Sequence, residues 1–284
     1  MTFVDYLEKH LPPFLASFSG TAGIYIREYS GSNYYAHKAE DIFPTASKIK
    51  TFILSSLLAK IDTKDLSLTD TVTISEHNKA GGSGIFKEFD LGARFTLKDA
   101  AYAMMIISDN TATNICIDAV GGVEEVNAHL SKNNLECTRL GGRVILEELS
   151  SQPSALGVST PKESADFVGR LLKGEVLSSE STQIASEILF GQQCADQFPR
   201  FLPYTIYAEE LGFEQSVNLA HKTGYVPSVR SDVGYIKIHG NEFLYSVFSK
   251  DCADDSMHFN NEGSIFAGRV GETLYHWVCE NVPA

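Results

Sequence analysis

Predicted strands at both ends of the chain, separated by a long helical middle, restrict the folds open to this sequence. Alternating apolar residues and turn signals predict two early strands and three late ones, at 22–29, 33–39, 217–222, 232–239 and 242–249. A two-stranded hairpin is only marginally stable by itself. The early and late strands are therefore expected to pair in one antiparallel sheet of about five strands.

The predicted helices fit around this sheet. Amphipathic helices are predicted at 2–18, interrupted or ended near Pro12 and Pro13, and at 260–280. These terminal helices can cover one face of the sheet. The middle of the chain is predicted to form helices at 47–61, 97–107, 110–120, 123–131, 160–172 and 179–189. We expect an α+β fold in a single domain of residues 1–284. A sheet lobe of 1–45 and 212–284 would hold an inserted all-helical lobe of 46–211.

Composition limits the classes of partner. Of the 284 residues, 43% are hydrophobic and 21% charged, which is typical of a globular protein. A formal net charge of −13 argues against nucleic acids and anionic membranes as partners, because binding phosphate requires clustered Lys and Arg. No apolar run approaches the length of a membrane-spanning helix.

The N-terminus and the cysteines bear on the compartment. The first ten residues lack a basic start and a continuous apolar core, so they do not resemble a signal peptide. This predicts a cytoplasmic location, or a periplasmic or secreted one if a leader was removed. The five cysteines are odd in number and show no C-x-x-C spacing, which favours buried free thiols over disulfides or zinc ligation. The histidines also lack metal-ligand spacing, so neither a metal nor another cofactor is predicted.

One short segment carries a pattern suited to nucleophilic catalysis. Ser47 precedes Lys50 by three residues, at the predicted start of a helix marked by Pro44 and Thr45. Residues three apart share a helix face, so Lys50 is expected to reach the Ser47 hydroxyl. A serine nucleophile needs an adjacent base, and lysine serves when burial and neighbouring cations lower its pKa. N–H groups at the helix start suit an oxyanion.

A single S-x-x-K match is weak, and the chain contains a second one. Ser159 and Lys162 also fit, but Pro161 between them favours a helix cap. Two further triplets accompany the first match: Ser108-Asp109-Asn110 between two predicted helices, and Lys222-Thr223-Gly224 at the end of a predicted strand. Taken singly, they are typical of a helix cap and of a strand end.

Together, these three motifs resemble the class A β-lactamase-like serine hydrolases and the penicillin-binding proteins, in the order and near the separations found in that family. The resemblance extends over nearly the whole chain. It implies that Ser47 is acylated while Lys50 relays its proton. Ser108 would pass a proton to the leaving nitrogen and bridge toward Lys222.

The same resemblance implies a substrate-binding edge. Asn110 would bind a side-chain amide of the substrate, and Lys222 and Thr223 would meet its carboxylate. Gly224 would allow close approach of the strand, and the N–H groups of Ser47 and Tyr225 would form the oxyanion hole. Arg230 is a candidate second cation for the carboxylate, or else a solvated charge. His221 is expected to face away from the site and to be structural, because side chains alternate along a strand.

The sequence departs from the family at the residue that activates water for deacylation. Counting from Ser108, the family's glutamate falls on Val144. Glu148, or Glu147 after a one-residue shift, is the nearest candidate base; both could equally be solvated loop charges. Gly142 and Gly157 replace an Arg–Asp pair that pins this loop in the family.

The sequence therefore predicts a serine hydrolase forming an acyl-Ser47 intermediate with an amide or ester, by default a β-lactam. The alternatives are a penicillin-binding or sensor-like protein that is acylated without efficient turnover, a carboxylesterase, and a non-catalytic binding module. The expected partner is a small molecule with a carboxylate.

Overall fold

A computed structural model describes residues 1–281 of the chain. Its strands are β1 (Thr21–Glu28), β2 (Tyr34–His37), β3 (Phe43–Pro44), β4 (Thr71–Thr73), β5 (Arg94–Thr96), β6 (Arg139–Leu140), β7 (Gly157–Ser159), β8 (Val217–Val226), β9 (Val229–Ile238) and β10 (Asn241–Lys250). Its helices are α1 (Phe3–His10), α2 (Pro12–Ser17), α3 (Lys50–Asp62), α4 (Leu97–Ile106), α5 (Asn110–Val120), α6 (Val123–Lys132), α7 (Leu146–Ser151), α8 (Pro161–Leu172), α9 (Ser179–Phe190) and α10 (Glu262–Asn281).

The main sheet unites the two ends of the chain. Its five strands lie in the order β2-β1-β10-β9-β8, and every neighbouring pair is antiparallel. One face packs against α1 and α10 through residues such as Phe3, Leu7 and Leu274, and the other against α8 through Ala165 and Val168. The predicted fold class is confirmed.

The middle of the chain forms a second core around α3. The first nine residues of helix α3, Lys50 to Leu58, are all buried, so this part of the helix is enclosed on every side. It packs among α4, α5, α6 and α9. Two small sheets, β3-β7-β6 and β4-β5, accompany these helices, so the middle is helix-rich rather than all-helical. The division into two lobes stays a prediction.

The interruption expected near Pro12 and Pro13 is observed: α2 begins at Pro12, because proline fits the first helical turn. Two local expectations change. Pro44 does not begin a helix: it pairs with Val158 in a short strand. Strand β8 continues to Val226, and a tight turn with Ser228 at φ +59° leads into β9, so Lys222-Thr223-Gly224 lie inside a strand.

Two remaining observations concern membranes and thiols. Within residues 1–281, no helix combines the length and apolarity needed to cross a bilayer. All five cysteines are free, but only Cys116 and Cys252 are buried, so the expectation of uniformly buried thiols is wrong. Cys137 and Cys279 are exposed and Cys194 is partly so.

Candidate active site

Ser47 lies in a tight 3₁₀ turn, Ala46–Ile49, directly before α3. Ala46 has φ +45°, an unfavourable conformation for a residue with a side chain. The turn is held from outside: the Thr45 N–H donates to Gly157 O at 2.9 Å, and the Ser231 hydroxyl donates to Thr45 O at 2.7 Å. Strands β7 and β9 thus fix the backbone that presents Ser47, a residue that is 8% exposed.

Lys50 joins two of the three motifs. Its fully buried Nζ lies 2.7 Å from Ser108 O, 3.0 Å from Ser108 Oγ and 2.9 Å from Asn110 Oδ1. Burial, and then the nearby charge of Lys222, hold the pKa of Lys50 well below its usual value. Lys50 makes no hydrogen bond to Ser47 within the described residues, so the predicted direct contact is absent from this conformation.

The start of α5 positions Ser108 and Asn110. Asp109 caps the helix by accepting from Ala112 N at 2.8 Å, and its second oxygen accepts from Ile85 N and Phe86 N. This cap holds Ser108 at φ +58° and turns its hydroxyl toward Lys50. The capping role and the site role expected for this triplet therefore coexist.

A glycine-rich loop covers Asn110. The Asn110 Nδ2 group donates to Gly81 O at 2.8 Å, and the Asn110 N–H donates to Ser83 O at 3.0 Å. The Asn110 amide therefore bridges Lys50 on one side and residues 81–83 on the other. The Asn110 Nδ2 group has a second hydrogen, which is available to an acceptor on a substrate while the bond to Gly81 O is kept.

Strand β8 brings the third motif against the nucleophile turn. Lys222 is fully buried and donates to Thr223 O at 2.9 Å, and burial lowers its pKa to about 8. Thr223 Oγ1 is buried with no hydrogen-bond partner among the described residues. A Cβ on Gly224 would lie 2.7 Å from Thr45 O and 2.9 Å from Lys48 N, so only glycine permits this approach. The next N–H, that of Tyr225, follows on the same strand.

Tyr225 and Arg230 have partners of their own. The Tyr225 hydroxyl donates to Asp196 Oδ1 at 2.7 Å. The buried Arg230 guanidinium donates through Nη1 to Val226 O and Val229 O. Its other donors reach Ser256 O and Ser264 Oγ, on the side of α10. The structure therefore ties Arg230 to the protein and does not bring it to Ser47.

His221 belongs to a separate buried network. Its Nδ1 lies 3.0 Å from Asp232 Oδ1, which also accepts from the Tyr245 hydroxyl at 3.0 Å. Asp232 Oδ2 accepts from Phe198 N at 3.1 Å. These contacts lie with β9, β10 and the 198–201 turn, apart from the Lys50 cluster.

The candidate deacylation bases are not part of the cluster. Glu147 and Glu148 are exposed on α7, and neither carboxylate accepts a hydrogen bond from the described residues. Val144, where the family's glutamate was expected, is buried, and its N–H donates to Asn114 Oδ1 at 2.8 Å. The structure places an apolar side chain there.

Sequence reasoning assigned no role to two residues of this region. The side-chain amide of Asn114 binds the backbone of Val144 at two atoms: Oδ1 accepts from Val144 N, and Nδ2 donates to Val144 O at 3.2 Å. Lys48 is completely buried beneath the nucleophile turn. The position of Lys48 next to Ser47, at the start of a helix rich in apolar residues, was the signal that could have indicated its role. The sequence offered no such signal for Asn114 beyond its place on α5.

Known proteins resemble this chain along most of its length. A family profile described as the beta-lactamase enzyme family matches residues 6–278. Beta-lactamase BRO-1 of Moraxella catarrhalis is 23% identical over 273 residues, which cover 95% of this chain and 83% of that protein. Beta-lactamase CARB-3 of Pseudomonas aeruginosa is 30% identical over 176 residues, covering 61% of this chain and 59% of that protein.

Solved structures agree in fold. A beta-lactamase from Sphaerobacter thermophilus DSM 20745 superposes with a TM-score of 0.84 at 25% identity, covering 99% of both chains. A leucine-to-glutamate mutant of PBP-A, solved as an acyl-enzyme complex with penicillin G, superposes with a TM-score of 0.82 at 22% identity, covering 97% of both. Since the profile and the fold both extend over nearly the whole chain, this protein belongs to the β-lactamase enzyme family and is a hydrolase of that type.

Proposed function

We propose that Ser47 attacks the carbonyl carbon of a β-lactam or a related amide or ester, with Lys50 as the base. The observation that carries this proposal is the environment of the Lys50 amine, which is buried, depressed in pKa and shared between Ser108 and Asn110. A neutral amine can donate to Ser108 O and Asn110 Oδ1 and accept from the Ser108 hydroxyl. Lys50 therefore has a lone pair for a proton, the requirement for activating serine.

Proton movement follows from these contacts. The Ser47 proton passes to Lys50 when the amine gives up one of its present hydrogen bonds and contacts the Ser47 hydroxyl instead. Ser108, already in contact with Lys50, then donates its hydroxyl proton to the leaving nitrogen and takes one from Lys50. The N–H groups of Ser47 and Tyr225 face the oxyanion, because Gly224 lets β8 lie against the turn.

The substrate edge is proposed to hold a carboxylate. The Lys222 ammonium supplies its counter-charge, and the Thr223 hydroxyl, which has no partner among the described residues, supplies a hydrogen bond. Arg230 stays a candidate only if its bonds to Val226 and Val229 open on binding.

A second function, acylation with slow turnover, is favoured by one observation. The position expected to activate water is Val144, and Glu148 is exposed away from the cluster. The PBP-A complex is a precedent for this alternative, because a variant of that protein, which has the same fold, was solved as an acyl-enzyme with penicillin G. Under this alternative, acyl-Ser47 forms readily and is hydrolysed slowly.

One experiment separates the two. The protein is mixed with a chromogenic cephalosporin or a p-nitrophenyl ester, product is followed by absorbance and the protein by intact mass. Steady cephalosporin hydrolysis supports the hydrolase, and a stoichiometric adduct without turnover supports slow deacylation. Ester turnover alone identifies an esterase. Ser47→Ala is the control. If the unaltered protein shows no turnover and forms no adduct, both proposals are rejected.

A further inference from the structure

A third buried lysine, in addition to Lys50 and Lys222, lies beneath the nucleophile turn and has no role in the proposed reaction. Lys48 follows Ser47, and its side chain runs into the space between the main sheet and α8. The whole residue is buried. Its Nζ donates to Ser164 Oγ and lies 3.6 Å from the centre of the Phe248 ring, with Phe52 next at 5.9 Å.

No carboxylate pairs directly with this amine among the described residues. The charged groups acting on it are Glu163 from α8 and Asp232 from β9, while β10 and α3 present the rings of Phe248 and Phe52. Burying an ammonium without a contacting anion is costly, so burial lowers the pKa of Lys48 well below its usual value. An apolar residue would fill this space without that cost.

A chain of hydroxyls leads from Lys48 to the surface. Ser164 Oγ lies 2.7 Å from Ser159 Oγ, which lies 2.7 Å from Thr138 Oγ1. Thr138 Oγ1 donates to Glu163 Oε2 at 2.7 Å. Ser164, Ser159 and Thr138, here called the hydroxyl chain, are buried, whereas Glu163 is partly exposed.

The hydrogens of this chain can all point one way. Lys48 donates to Ser164, Ser164 to Ser159, Ser159 to Thr138, and Thr138 to the Glu163 carboxylate. The Ser164 hydrogen has two acceptors at 2.7 Å, Thr160 O and Ser159 Oγ, and the chain is continuous when it points to Ser159. Moving each hydrogen by one bond then converts Lys48 ammonium and Glu163 carboxylate into an amine and a carboxylic acid, with no net loss of protons.

We propose that Lys48 is a positioning residue of the nucleophile turn and that it exchanges its proton with solvent through the hydroxyl chain and Glu163. The contact with Ser164 ties the turn to α8, so the Ser47 backbone is fixed from the side opposite the substrate. Protonation of Lys48 places a positive charge beneath the turn that carries the Ser47 N–H, and a positive charge there favours an oxyanion at that N–H. Without this path, the proton could leave only by local opening of the core.

The proton path is tested by NMR of protein labelled with ¹⁵N-lysine, with the Lys48 signal assigned from its loss in Lys48→Met. Exchange of the Lys48 Nζ protons with water is expected to slow about tenfold or more in Thr138→Val, which cuts the chain with little change of shape. Thr182→Val is the matched control, because Thr182 Oγ1 is buried and has no hydrogen-bond partner in the part of the chain that the structure describes. Equal exchange in Thr138→Val and the unaltered protein would overturn the path.

The positioning role is tested by the pH dependence of Ser47 acylation, followed by intact mass. Lys48→Met is expected to remove one ionisation step from the profile, and Glu163→Gln to move that step to lower pH. Superimposable profiles for Lys48→Met and the unaltered protein would overturn this role. This part rests on the proposed acylation of Ser47, whereas the NMR exchange measurement does not. If no substrate acylates Ser47, the proposed function fails, and the NMR exchange measurement still tests the proton path.

Discussion

At the scale of single residues, Lys50 and the candidate deacylation bases differ in their contacts. Lys50 is placed by three hydrogen bonds, but Val144 occupies the expected position of the water-activating carboxylate. The proposed chemistry therefore contains a contrast: its acylation step has a base held by hydrogen bonds, and its deacylation step has no such base among the described residues.

Replacing Val144 by glutamate tests this contrast. Asn114 already fixes the backbone of residue 144 through two hydrogen bonds, so a carboxylate there would be held in place. We expect Val144→Glu to raise the deacylation rate tenfold or more with little change in acylation. Decay of the acyl-enzyme mass after rapid removal of free substrate gives the rate. Val144→Gln is the control, and an equal gain in both variants would contradict a base at this position.

Glu148 provides the complementary test. Its carboxylate is exposed and without a hydrogen bond from the described residues, so Glu148→Gln should leave turnover within about twofold of the unaltered protein. Accumulation of acyl-enzyme in this variant, measured by intact mass, would instead restore Glu148 to the mechanism.

At the scale of elements, the close approach of β8 to the nucleophile turn decides the geometry of the oxyanion hole. A methyl group on Gly224 would meet backbone atoms of Thr45 and Lys48, which cannot rotate away. We expect Gly224→Ala to lower the acylation rate at least a hundredfold and to cost about 1–3 kcal/mol of unfolding free energy. Gly142→Ala is the control, since its Cβ meets only Ala155 O at 3.7 Å. Acylation and denaturant unfolding are the two measurements, and normal acylation by Gly224→Ala would show that β8 can move.

The same scale shows what could be predicted from the sequence. Helix α5 was predicted with its observed bounds, because Asp109 caps its start and Gly121 ends it with φ +110°. The start of the nucleophile helix was misjudged at Pro44, since pairing with β7 is a long-range contact that local signals do not encode. The three motifs named residues that the structure brings together, namely Ser108 and Asn110 at Lys50 and Gly224 against the nucleophile turn, and the roles assigned to them stay predictions. The hydroxyl chain could not be foreseen, because it joins Thr138, Ser159 and Ser164 through tertiary contacts.

At the scale of the whole molecule, three buried lysines link stability to pH. The pKa values of Lys48, Lys50 and Lys222 are all lowered by burial, that of Lys222 to about 8. An unfolded lysine keeps its proton up to about pH 10.4. Between the lowered pKa of each lysine in the folded protein and the pKa of an unfolded lysine, the unfolded chain binds more protons than the folded protein. Each lysine therefore makes the unfolding free energy rise with pH in this range, by up to about 1.4 kcal/mol per pH unit.

The contribution of Lys222 can be isolated by difference. Urea unfolding of the unaltered protein and of Lys222→Met is compared from pH 8 to pH 10, and the variant is expected to show the smaller increase with pH. Taking the difference removes the opposing effect of the buried Cys116 thiol, whose pKa burial raises, because both proteins share it. Parallel curves would contradict a lowered pKa at Lys222.

The pairing of β1 with β10 has a consequence for biosynthesis. Thr21 lies opposite Lys250, so β1 leaves the ribosome well before β10, its neighbour on one side, exists. Until translation is nearly finished, the edge of β1 that faces away from β2 is unpaired. Strand β9, which holds the turn at Ser47, is also absent until then. A polypeptide that ends before residue 229 would therefore be prone to aggregation and unable to undergo acylation at Ser47. The ability to react depends on synthesis of the last fifth of the chain.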